Sequence, residues 1–93
     1  MSLAVVLYQC AEDFAAKAPA LFPAHKARLD EFHAAGDLLM VGTFGDIAKE
    51  GSMAVFAARA AAEKFVDGDP FRLNGVVSGY EIRDWSEVYT RGE

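Results

Sequence analysis

The chain has 93 residues and a net charge of −5, from 14 acidic and 9 basic residues. Apolar residues make up 53% and charged residues 25%, a composition that folds around a core and argues against a disordered tail. An acidic chain without a Lys/Arg cluster offers no positive face for phosphate, so neither nucleic acid nor an anionic membrane surface is an expected partner.

This length predicts one domain over residues 1–93. A domain of this size buries only roughly 60–65% of its unfolded surface, so association with a second copy is expected to add stability. No apolar run reaches the ~20 residues that span a bilayer. The first ten residues carry no Lys or Arg before their apolar stretch, which does not fit a signal peptide. One cysteine, Cys10, cannot form an internal disulfide, and one cysteine with two histidines makes a dedicated metal site unexpected. These features point to the cytoplasm, with no cofactor implied.

Leu3–Gln9 is short, apolar and rich in β-branched and aromatic residues, and reads as a strand covered on both faces. Asp13–Ala35 reads as helix interrupted by Pro19 and Pro23. The expectation is a short first turn and then a main helix from about Pro23, where proline is tolerated. At about 100° per residue, Leu29 lies about 40° and Phe32 about −20° from His25, so these three share one stripe. Gly36 stops the helix.

Leu38–Phe44 is a second strand, Gly45–Gly51 a polar connection, and Ser52–Ala57 a third strand. Arg59–Val66 is an amphipathic second helix, broken by Asp67-Gly68-Asp69-Pro70-Phe71. Val76–Trp85 is a fourth strand, with Val76, Tyr80 and Ile82 on one face and Val77, Glu81 and Arg83 on the other. The order β-α-β-β-α-β predicts an α+β, ferredoxin-like fold: a four-stranded antiparallel sheet with both helices on one face. The apolar first strand requires a cover for the other face. A second copy of the sheet supplies it, which predicts a homodimer packed sheet to sheet about a two-fold axis.

Few residues carry chemistry. His25 on the apolar stripe is either a core-edge histidine bonded to backbone or a general acid/base, since imidazole titrates near pH 6.5. Asp69 before Pro70 is either a turn or cap aspartate or a carboxylate that orients His25 across the helix ends. Asp37 and Asp46 are alternative partners for the imidazole. His33 lies at the edge of the stripe and is expected to be exposed. Cys10 has Glu12 and Asp13 nearby, which oppose thiolate formation, and reads as structural. Gly42-x-x-Gly45 lacks the features of a phosphate loop.

The run Pro23-Ala24-His25-x-Ala27-Arg28-Leu29, then Gly36-x-Leu38-Leu39-x-x-Gly42, then Asp69-Pro70-Phe71-x-x-x-Gly75-Val76, then Tyr80-Glu81-Ile82-Arg83-x-Trp85, resembles the YCII-related (YciI-like) family over roughly residues 3–86. The resemblance implies a dimeric α+β barrel and marks His25 and Asp69 as the active-site pair. Two positions depart from the family pattern. Phe22 stands where many members have arginine, three residues before the histidine. Gly42-Thr43 stands where many have Gly-Pro. The first departure removes an anion-binding group, which Arg28 is a candidate to replace.

One branch of the family resembles enzymes that eliminate chloride from hydroxylated aromatic compounds. The wider barrel superfamily includes muconolactone isomerases and cofactor-free monooxygenases. The expected function is therefore a cofactor-independent lyase or isomerase acting on a small cyclic or aromatic molecule. His25 would transfer protons, Asp69 would orient it, and Leu29, Phe32, Phe71 and Tyr80 would line the substrate pocket. The alternatives are a non-catalytic small-ligand binder and a structural dimer module.

Overall fold

The computed structural model describes residues 2–92. The element order is β1 (Ser2–Cys10), α1 (Phe14–Ala34), β2 (Leu38–Thr43), α2 (Ile47–Glu50), β3 (Ser52–Phe56), α3 (Arg59–Gly68), α4 (Pro70–Leu73) and β4 (Val77–Ser86). The four strands form one antiparallel sheet in the order β2-β3-β1-β4, with apolar β1 at its centre. This is the expected ferredoxin-like arrangement.

Residues paired across an antiparallel ladder point to the same face, so the register sorts the side chains. Ala4, Val6 and Tyr8 of β1 and Ala54 and Phe56 of β3 join Phe32, Ala62, Phe65 and Val66 in the core beneath the helices. Three aromatic rings centre that core: Phe32 meets Phe65 edge-on at 5.2 Å, and Phe56 lies 5.4 Å from Phe65. The opposite face carries Leu3, Val5 and Leu7, with Met53 and Val55 of β3, Met40 of β2, and Glu81, Arg83 and Trp85 of β4.

Three expectations need correction. First, α1 runs unbroken through Pro19 and Pro23. Each proline removes one helical hydrogen bond. Because the two are four residues apart, both losses fall on the same exposed side of the helix, open to solvent. Second, the polar connection between β2 and β3 contains α2, capped by Asp46, whose side chain accepts from the Lys49 amide. The break after α3 likewise contains α4. Third, the β1–β4 register shifts between Gln9 and Cys10, so Val77 pairs with Cys10 and packs against the core on the helix side. It does not share a face with Glu81 and Arg83.

Among the described residues, no helix is long and apolar enough to cross a membrane.

Candidate active site

Asp69 sits at the junction of α3 and α4. Pro70 in the first turn of α4 holds the preceding residue in extended geometry, and Asp69 has φ −70 and ψ 120. Its carboxylate therefore caps α4, accepting from the Phe71 amide at 3.2 Å. Asp69 is also fully buried, at 0% exposure. Burying a carboxylate costs several kcal/mol unless its lone pairs are used. Here Oδ1 additionally accepts from His25 Nδ1 at 2.7 Å, and Oδ2 accepts from the Tyr8 hydroxyl at 2.7 Å. Charge-assisted bonds this short are the strong kind.

His25 is aimed by more than this bond. Its ring stacks on Phe71, with centroids 3.8 Å apart and planes 6° from parallel. Phe65 meets it edge-on at 6.3 Å, and Phe22 lies tilted at 6.4 Å. A carboxylate only accepts, so Nδ1 carries the hydrogen and neutral His25 keeps its lone pair on Nε2. Among the described residues Nε2 has no hydrogen-bond partner, and no buried side-chain nitrogen or oxygen is left unpaired. Nε2 therefore faces open space.

His25 lines a cavity of about 390 Å³ between α1, α4 and the near end of the sheet. Its apolar walls include Phe14, Phe22, Leu29, Val41, Ile47 and Phe71. The side chains of Tyr8, Cys10, His25, Thr43 and Ser52 add the polar or polarisable groups. Burial pushes the Cys10 thiol above its ordinary range, which disfavours a nucleophilic thiolate. Burial, reinforced by the Asp69 charge, pushes the Tyr8 phenol far above its ordinary value. Tyr8 thus remains a hydroxyl donor to Asp69 at any physiological pH.

The expected site residues separate accordingly. His25 and Asp69 meet, and Leu29 and Phe71 line the cavity with them. Phe32 does not: it is sealed into the aromatic core, because its place one helical turn beyond Leu29 carries it past the cavity. Tyr80 also lies elsewhere, in a separate depression with Arg59, Glu63 and Asp67, its ring under the Arg72 guanidinium.

Arg28 does not act as a replacement anion anchor. Its guanidinium donates to the carbonyls of Lys64 and Phe65 at 2.7 and 3.2 Å, satisfying the C-terminal turn of α3. Asp46 is engaged at α2, His33 is exposed, and Asp37 makes no contact with His25 among the bonds described. Tyr8 is the residue sequence reasoning missed. The available signal was a tyrosine at the end of an apolar strand, whose hydroxyl needs a partner once buried. Among the described residues, no group of three or more His, Cys, Asp or Glu is placed to hold a metal ion.

Fold and site together define a ferredoxin-like α+β domain with a histidine, held by a buried carboxylate, on the wall of an apolar cavity. The chain belongs to the YCII-related domain family, whose model matches residues 1–86. Comparison with curated protein sequences gives no match.

Several solved structures share the fold. One is the 5-chloro-2-hydroxyhydroquinone dehydrochlorinase TftG of Burkholderia phenoliruptrix AC1100, in complex with 2,5-dihydroxybenzoquinone. It is 19% identical with a TM-score of 0.68, covering 92% of this chain and 94% of that one. A second is a putative antibiotic biosynthesis monooxygenase of Nitrosomonas europaea, 11% identical with a TM-score of 0.58, covering 96% of this chain and 100% of that one. A third is the heme-degrader MhuD of Mycobacterium tuberculosis with two hemes bound, 14% identical with a TM-score of 0.55, covering 99% and 100%. At these identities the likeness is one of fold.

Proposed function

We propose that this protein is a cofactor-independent enzyme, a lyase or isomerase, that moves a proton on a small cyclic or aromatic substrate. The observation that carries this reading is the 2.7 Å bond from His25 to fully buried Asp69, with the ring's other nitrogen open to the cavity. Nε2 accepts a proton from a substrate carbon or hydroxyl. Asp69 stabilises the imidazolium that results and keeps the ring in place. In an isomerisation the proton returns to a different atom. In an elimination the electron pair of the broken C–H bond forms the new double bond as the leaving group departs with its own pair. Leu29 and Phe71 hold the substrate ring. The hydroxylated ring compound named with TftG belongs to this class.

Proton transfer by a positioned base contributes roughly 10²–10⁴-fold to a rate. His25→Gln is therefore expected to lower turnover by that factor in a chain that still unfolds cooperatively, at a midpoint lowered by the loss of the bond to Asp69. A ligand that His25→Gln binds as well as wild type, and that wild type returns chemically unchanged, would instead identify a non-catalytic binding module.

The same proposal includes a homodimer formed through the open face of the sheet, where Met40 is 64% and Trp85 49% exposed. The lone thiol of Cys10 suits a reducing compartment, and we place the protein in the cytoplasm.

A further inference from the structure

We infer that the cavity selects an uncharged ligand, a ring compound bearing hydroxyl or keto groups and no carboxylate. This rests on the reading of the cavity as the substrate site, and it narrows the substrate class.

The first ground is that, among the described residues, the cavity lining holds no permanent cation. None of its lining residues is a lysine or arginine. The basic residues of α1 and α4 are engaged elsewhere: Lys17 with Asp13, Lys26 with Asp30, Arg28 with the end of α3, and Arg72 with the Val66 carbonyl at 2.6 Å; Lys49 of α2 is not part of the lining.

The second ground is the charge of the pair itself. Asp69 lies 2.7 Å from the imidazole. With His25 neutral the pair carries −1, and with His25 protonated it carries zero. In neither state does a substrate carboxylate meet a net positive charge. Moving a carboxylate from water into apolar surroundings without a counter-charge is strongly unfavourable. A neutral hydroxyl has no such penalty here, because Nε2 accepts its hydrogen and the Thr43 and Ser52 hydroxyls lie on the same lining.

The third ground is the mouth. Phe22 is 49% exposed, 6.4 Å from the His25 ring and 6.5 Å from Phe71. Phe22 thus puts an apolar ring, and no charged group, at the exposed edge of the cavity.

The test uses two probes of nearly equal size, 2-naphthol and 2-naphthoate, titrated calorimetrically into the full chain at neutral pH. Binding is located by the movement of the His25 ring signals in NMR spectra. Naphthol is expected to bind roughly tenfold or more tightly than naphthoate, and Phe22→Arg, which places a cation at the mouth, is expected to narrow or reverse the difference. Phe22 is half-exposed, so the arginine has room, and the wild-type comparison stands without it. Equal binding, or tighter binding of naphthoate to wild type at His25, overturns this inference and leaves the site intact. If neither probe moves the His25 signals, the cavity is not a ligand site, and the functional reading falls together with the inference.

Discussion

Asp69 holds three donors on two oxygens, and each donor comes from a different part of the chain. Asp69→Asn exchanges a charged acceptor for an amide with one acceptor atom, so at least one donor loses its partner. Bonds to charged groups contribute about 1.5–3 kcal/mol, and Asp69→Asn is expected to destabilise by about that much and to lower turnover with it; urea denaturation measures the first. His25→Gln removes the imidazole donor and its stacking on Phe71, and is expected to destabilise by about 1–3 kcal/mol.

Tyr8→Phe should cost about 1–2 kcal/mol at neutral pH by leaving Oδ2 unpaired. The folded phenol of Tyr8 sits above its ordinary value of 10.0. A raised acid contributes its stability in full below the unfolded value and loses it as pH climbs toward the folded one. The stability gap between wild type and Tyr8→Phe should therefore narrow above pH 10.0. Denaturation curves at stepped alkaline pH read this directly, and a constant gap contradicts it.

At the scale of elements, Gly51 fixes how β3 begins. Its φ is +76, and a side chain there would overlap the Tyr8 carbonyl oxygen. With ψ −146 this is a region that essentially only glycine populates, at a cost of about 1–3 kcal/mol to another residue, and backbone overlap adds to that. Gly51→Ala is expected to lose about 2–4 kcal/mol, seen as a fall in the urea midpoint, and to disturb Tyr8 across the ladder.

The order of the four strands and the two long helices was legible in the sequence because apolar runs, Gly/Pro breaks and one helical stripe mark them clearly. The stripe also placed His25 and Leu29 toward the interior. It did not show that Phe32, one turn further, passes beyond the cavity into the core: periodicity gives direction around a helix, whereas what lies above each turn depends on the neighbours. The face of Tyr8 was hidden because β1 is apolar at nearly every position and shows no alternation. The face of Val77 was hidden by the register shift at Cys10, which no residue type announces.

A compact monomer of 10.1 kDa exposes roughly 5,300 Å². This chain exposes 6046 Å². The surplus includes the segment after β4, where Val88 and Tyr89 are exposed, and the open sheet face with Met40 and Trp85. In the proposed dimer, Met40→Glu would put a charge into the contact face of each copy. It is expected to convert a dimer into a folded monomer in sedimentation equilibrium, and a wild type that is monomeric at high concentration removes the dimer from the proposal.

Strand β1 connects this surface to the chemistry. Tyr8 points toward Asp69, and Leu7 beside it points to the open face. A single inserted or deleted residue within β1 would exchange the two faces, turning Tyr8 outward and carrying Leu7 toward the carboxylate. The strand can therefore drift in composition while its length stays frozen, and homologues should vary the identity of its residues far more freely than their number.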